Sequence, residues 1–364
     1  MKKNLSSLGF MSGTSGDGVD SSIINSNGED IIDIKYNRFD PYPTSLTKKI
    51  HRVKENILEM QDLLKYSSEI KELEIEITNF HAHIASKISK EVNYELIGFH
   101  GHTIYHNIDE KISKQIGLGV SLSKITNKTV VYNFRQEDIK NGGEGAPLSP
   151  IYHVNLIKAL FRKNKIKIPI SILNIGGIAN ITEIDKNFNF NSRDIGPGNC
   201  LIDMWIRKNS NKFFDENGYY ASKGKIDKFI FDQYLDNYYY SKINSKRSLD
   251  TNDFDISFAK GLSLENGTTT ITSLTSELLS KKIGNNDIYV CGGGRKNKFL
   301  INSLKEKINN KIFFIDDLNI NGDYIESQAF AFLAIRSYLK LPISFPSTTN
   351  CNDPCVGGII VRNS

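Results

Sequence analysis

Cysteine is scarce and scattered: the 364 residues hold four, Cys200, Cys291, Cys351 and Cys355. A disulfide framework calls for a denser set in a shorter chain. Cys351-x3-Cys355 has no second ligand pair at the spacing of a zinc site, and its pairing as a disulfide stays open. No apolar run approaches the ~20 residues that span a bilayer. The two amino-terminal lysines lead not into an apolar signal segment but into Gly9 and a polar stretch over 12–18. The expected setting is therefore the reducing cytoplasm. An excess of one charge is missing as well: 46 basic residues face 41 acidic ones, mixed in patches such as Lys71-Glu72-Leu73-Glu74. That balance gives no footprint for nucleic acid. Two familiar phosphate-loop signatures, GxxxxGK[ST] and GxGxxG, are also absent.

Apolar side chain is present in quantity, 39% of residues, in a chain long enough for two domains. Residues 5–10 predict a strand, 19–24 a returning strand, and 31–36 a third after the hairpin signal Asn27-Gly28. Residues 46–90 predict mostly helix. Leu73, Ile77, Phe80, Ile84 and Ile88 form its apolar stripe, with His81 and His83 as surface or core-edge neighbours. Strands at 96–104 and 129–132 and a helix over 151–161 complete this half. The opening then recurs in pattern: strand 171–175, a Gly-Gly turn, strand 181–184, and later strand 288–290 with its own glycine turn. A last helix near 325–340, small and apolar on several faces, predicts burial against a sheet. Two such halves predict a duplicated α/β architecture with a cleft between them.

Three glycine turns at strand ends carry the chemistry. In "GTSGDG", residues 13–18, glycines permit close approach of a ligand and successive amides can cradle an anion. Ser12, Thr14 and Ser15 add hydroxyls. Asp17 and Asp20 suit a hydrated Mg²⁺ or a sugar hydroxyl better than a bare phosphate, and an ordinary Gly-Asp hairpin would also account for this stretch alone. "NIGGIAN" and "CGGGRKN" repeat the pattern, and together the three point to a nucleotide beyond strand ends. Arg295 and Lys296 offer phosphate or base contacts, or simply a solvated pair. In "SRDIGPGNCLID", Asp194 precedes the rigid Gly196-Pro197-Gly198 turn as a candidate general base, and Asn199 is a natural helix cap. Asp203 is a second carboxylate nearby in sequence. Arg135 and Asp138 are three apart and could face one pocket. His100, His102 and His106 suit a polar substrate better than zinc, lacking a matching Glu or Cys. From the residues alone this is an ATP-dependent small-molecule phosphotransferase, with several candidates for its base.

"MSGTSGDGVD", "GFHGHTIYH", "NFRQEDIKNGGEGAPLSP", "NIGGIANIT", "DIGPGNCLID", "CGGGRKN" and "GDYIESQAFAFLA" occur in this order from residue 9 to about 337. Together they resemble the anhydro-N-acetylmuramic acid kinase family. The resemblance implies the actin/hexokinase-like fold, two ribonuclease-H-like domains with an interdomain cleft. We expect the first domain over 1–140 joined by 341–364, and the second over 141–340. It implies ATP and Mg²⁺ as cofactors, an amino sugar as substrate, no nucleic-acid or membrane partner, and a homodimer. The implied reaction opens the 1,6-anhydro bridge with water and phosphorylates O6. Carried onto this chain, Asp194 is the base for that water. Gly13, Thr14, Ser15, Gly16, Asp17 and Gly18 meet the ATP phosphates, with Asp17 at Mg²⁺ directly or through water. Gly176, Gly177 and Asn180 form the matching phosphate loop, and Gly292, Gly293, Gly294 and Asn297 contact the nucleoside end. His100, Thr103, Arg135, Asp138 and the loop Gly145-Ala146-Pro147 hold the sugar, with Glu326 nearby. The chain departs from the family pattern with His102 and Glu144 where glutamine is usual, Gly16 where a larger apolar residue is usual, and Thr349-Asn350-Cys351 near its end.

Overall fold

The computed structural model describes residues 3–13, 15–241 and 248–362. The chain divides into two compact units, Met1–Lys167 with Tyr324–Ser364, and Ile168–Asp323. The expected divisions at 140 and 340 thus sit elsewhere than these, and two helices account for the difference. Both the helix Pro150–Arg162 and the helix Ile325–Tyr338 belong to the first unit.

In the first unit, β1 (Leu5–Ser12), β2 (Gly18–Ser26) and β3 (Ile32–Pro41) form an antiparallel meander. β4 (Leu96–Asn107) and β6 (Thr129–Tyr132) extend it in parallel on the far side of β1, with β5 (Ile112–Ile116) folded back on β4. A short carboxyl-terminal strand, β12 (Ile359–Val361), pairs with β6. Helices α1 (Thr44–Asn56), α2 (Met60–Lys65) and α3 (Ser67–Ile88) occupy the stretch that the stripe predicted. Leu73, Ile77, Ile84 and Ile88 are buried in the core. His81, expected at the surface or core edge, is instead wholly buried. Its Nδ1 lies 2.7 Å from the Ile77 carbonyl, and its ring stands edge-on to Phe10 and Phe99. An intrahelical carbonyl can satisfy one imidazole nitrogen, so burial costs less than it would for a charged side chain.

The helix Ile325–Tyr338 is held on this sheet by small residues. A Cβ on Gly9 would lie 2.0 Å from the Ser327 carbonyl oxygen, and one on Gly98 2.2 Å from that of Phe330. Glycines on β1 and β4 therefore let helix backbone lie directly on strand backbone. Ser22 and Ser327 hydroxyls meet at 2.7 Å beneath it.

In the second unit, β7 (Ile170–Ile175), β8 (Ile178–Ile184) and β9 (Phe190–Pro197) make another antiparallel meander. β10 (Asp287–Cys291) and β11 (Ile312–Phe314) add in parallel beyond β7. Strand orders β3-β2-β1-β4-β6 and β9-β8-β7-β10-β11 are the same order twice. The duplication inferred from pattern is thus a duplication of topology, the ribonuclease-H-like one. Among the described residues no helix is long and apolar enough to cross a membrane, and all four cysteines are free thiols.

Candidate active site

In the first unit the carboxyl ends of the parallel strands β1, β4 and β6 share one edge, where "MSGTSGDG" and "HGH" meet. Ser12 and His102 are register partners. The Ser12 Oγ lies 3.0 Å from His102 Nδ1 and accepts the Tyr42 hydroxyl proton at 3.1 Å. Ser12 therefore spends its hydroxyl on this string rather than on a ligand. Burial holds the His102 imidazole down to about 3, so it is neutral. Its Nε2, wholly buried, has no hydrogen-bond partner. Tyr42 carried no sequence signal, because nothing local marks a side chain that closes a string thirty residues away.

Above this string the hairpin tip is exposed at Ser15 and Asp17, with the Ser15 hydroxyl donating to Asp17 Oδ1 at 2.6 Å. Gly16 turns with φ +61°, and a Cβ on Gly18 would strike Phe39 and the Asp40 carbonyl at 2.6 Å. Thr14, expected at phosphate, lies outside the described residues.

His100 is fixed by elimination. Its Nδ1 is 3.0 Å from the Gly101 carbonyl, which can only accept, and Arg135 donates to its Nε2 at 2.9 Å. The ring is therefore the neutral Nδ1–H tautomer, and burial with the adjacent guanidinium holds its pKa well below the usual value. It cannot carry a proton in catalysis; it props Arg135, whose Nη1 donates to the Gly145 carbonyl at 2.7 Å. Asp138 is wholly buried. Its Oδ2 accepts from Gly145 N–H at 2.7 Å and its Oδ1 from the Thr349 hydroxyl at 2.6 Å. Asp138 thus organises the loop Gly145-Ala146-Pro147 from beneath. Replacing it with alanine would leave two buried donors unmet, so Asp138→Ala is expected to lower stability by about 2–4 kcal/mol, read as a fall in thermal midpoint. Thr103 takes a 3.3 Å hydrogen bond from Gln115, and Glu326 stands partly exposed in the first turn of its helix.

In the second unit "NIGGIAN" and "DIGPGN" form one platform. Asn199 N–H donates to the Gly176 carbonyl at 2.7 Å, and Gly198 N–H to that of Gly177 at 2.9 Å. A Cβ on Gly198 would lie 2.2 Å from the Gly176 oxygen, so the two turns touch only because this residue is glycine. Asp194, ahead of the Gly196-Pro197-Gly198 turn, lies on β9, buried, directly across from Asn180 on β8. Its Oδ2 accepts from Leu249 N–H at 2.8 Å. Asn199 precedes the helix Cys200–Asn209, but its side chain makes no cap hydrogen bond. Instead its Nδ2 is 3.9 Å from where a Gly293 Cβ would be.

The "CGGGRKN" loop follows β10. Gly292 needs φ +80°, and a Cβ on Gly294 would strike Ile175 at 2.3 Å. Arg295, a candidate for phosphate, is committed elsewhere: it forks onto Asp316 at 2.7 and 2.9 Å and reaches Asp323 at 2.6 Å. Asn297 caps the helix Lys298–Lys307, its Oδ1 accepting from Leu300 N–H at 3.0 Å. Both hold the loop in shape.

Three motif glycines answer to no such need. Gly13, Gly176 and Gly293 have no positive φ, and a Cβ on each would find its first neighbour at 3.8, 3.5 and 3.9 Å. Protein packing and backbone strain both leave room for a side chain there, one in each of the three glycine turns.

A duplicated ribonuclease-H-like unit with glycine turns at its strand ends is the architecture of the actin/hexokinase-like phosphotransferases. The family model for anhydro-N-acetylmuramic acid kinase matches residues 6–363. Curated relatives of that name are similar along their whole length. One from Pelagibacter ubique is 46% identical over 100% of both chains, and one from Zymomonas mobilis is 37% identical over 97% of this chain and 98% of the relative. A third, from Brucella canis, is 33% identical over 98% of both. The chain belongs to the anhydro-N-acetylmuramic acid kinase family. It is an ATP-dependent kinase of peptidoglycan recycling, opening the 1,6-anhydro ring of its amino sugar and phosphorylating O6 to give N-acetylmuramic acid 6-phosphate and ADP.

Proposed function

We propose that Gly13, Gly176 and Gly293 are the points where ATP phosphates meet bare backbone. What supports this is that a Cβ at each would meet the protein only at ordinary contact distance, so neither packing nor backbone strain asks for glycine there. Alanine at Gly176 or Gly293 should therefore fold normally yet press a methyl group against the nucleotide. Overpacking of that kind costs about 1–3 kcal/mol, so KM for ATP should rise about 5- to 150-fold with the thermal midpoint unchanged. Unchanged KM for ATP in both variants would overturn the assignment.

Asp17 offers an exposed carboxylate with the Ser15 hydroxyl beside it, and no lysine or arginine among the described residues pairs with it. Hard oxygen donors of this type fit Mg²⁺, reached directly or through water. Bound there, Mg²⁺ supplies neutralisation of phosphate charge. The sugar is held by Arg135, braced by His100, with Thr103 and the Gly145-Ala146-Pro147 loop that Asp138 organises, and with Glu326 nearby.

Asp194 takes a proton from water as that water's oxygen bonds to C1. The C1–O6 bond breaks, and O6 forms its new bond to the γ-phosphorus while ADP leaves. Burial of Asp194 and the Leu249 N–H hold the carboxylate to one position. The enzyme works in the cytoplasm, where ATP is available, and as a homodimer, which sedimentation would test.

A further inference from the structure

Four polar side chains occupy one rung across the second sheet. Cys291 on β10 pairs in register with Asn174 on β7, Asn174 with Asn180 on β8, and Asn180 with Asp194 on β9. Directly opposed residues project from the same face of a sheet, with Cβ atoms ~4.5–5.5 Å apart. Most of the row is satisfied. The Cys291 thiol donates to Asn174 Oδ1 at 3.6 Å, and Asp194 Oδ2 receives the Leu249 N–H. Asn180 is the exception: its residue is buried, and its Oδ1 has no hydrogen-bond partner.

Leaving a buried carbonyl without a hydrogen bond is costly, so its presence beside the base points to a ligand that donates a hydrogen bond to it. Phosphate oxygens in ATP accept hydrogen bonds and would repel this oxygen. The attacking water is a donor twice over. We propose that Asn180 Oδ1 accepts a hydrogen bond from the second O–H of the water whose first proton goes to Asp194, so that the pair aims the water's lone pair at C1. Asn180 is then a positioning residue for the hydrolytic half of the reaction, not a phosphate contact. The inference rests on the reading of Asp194 as base.

Kinetics of Asn180→Ala and Asn180→Asp test it. Misplacing the water should lower kcat of Asn180→Ala about 10- to 100-fold, with KM for ATP and for the anhydro-sugar unchanged. Loss of the oxygen itself should cost no stability, since Oδ1 bonds to nothing in the protein. Asn180→Asp keeps an acceptor and should recover most of kcat at alkaline pH. Its acid limb should move to higher pH, because two carboxylates on one rung resist double ionisation. If Asn180→Ala misfolds, the displaced limb of Asn180→Asp still decides. A raised KM for ATP with kcat retained would make Asn180 a nucleotide contact and overturn the proposal, as would an undisplaced limb. Failure of the base assignment shows separately, as turnover by Asp194→Asn.

Discussion

Asp194→Asn is expected to lower turnover about 10²–10⁴-fold, the usual contribution of a placed general base, while ATP still binds. Asparagine is nearly the same shape, and its amide oxygen can still accept from Leu249 N–H, so the strand and the cover over it should persist. What it loses is the capacity to take a proton. The phosphate contacts proposed at Gly13, Gly176 and Gly293 do not involve this side chain, so ATP affinity by calorimetry should match that of the parent. Near-parent product formation would refute the role. The chemistry can be followed independently in ¹⁸O-water. Water attack at C1 puts the label on the anomeric hydroxyl of the product, and an unlabelled sugar would exclude that route.

Acidification from pH 7.5 to 5.5 is expected to destabilise the first unit selectively. All seven histidines lie between residues 51 and 153, so the second unit has none. His81, His102 and His153 are buried, and burial holds them down to about 4, 3 and 3. His100 is likewise held well below the usual value by burial and Arg135. Because these folded-state values are depressed, the unfolded chain binds protons that the folded one refuses. Their stability contribution is complete above the unfolded pKa near 6.5 and is lost as pH falls toward the folded values. At pH 5.5 the loss is about 1.4 kcal/mol for each histidine. Hydrogen exchange read peptide by peptide should show protection falling in the first unit below pH 6.5. Replacing one of the four, as in His153→Leu, should flatten the slope by about a quarter. A slope shared equally by both units would sink this account.

Much of the site was legible because its motifs are local. "MSGTSGDG", "NIGGIAN", "DIGPGN" and "CGGGRKN" are contiguous runs whose glycines report a backbone need at the position where they stand. Strand and helix periods were legible for the same reason, as at the stripe from Leu73 to Ile88. The sequence could not say which need each glycine serves. Gly18, Gly198 and Gly294 are small because Phe39, the Gly176 carbonyl and Ile175 press on them, whereas Gly13, Gly176 and Gly293 have room for a Cβ.

By itself, then, the sequence determined the reaction class, the family, and the existence of two strand–turn–strand halves, since each is written in short-range patterns of residue type. Only the tertiary structure decided which polar side chains serve each other. Arg295 and Asn297 turned out to hold their own loop, Asp138 to brace another, and His100 to prop Arg135. It also set Asn180 across from Asp194 and left the Asn180 Oδ1 without a partner. The reason is physical. A hydrogen bond joins groups by distance and direction in space, and residues 180 and 194 become neighbours only when β8 and β9 take their register.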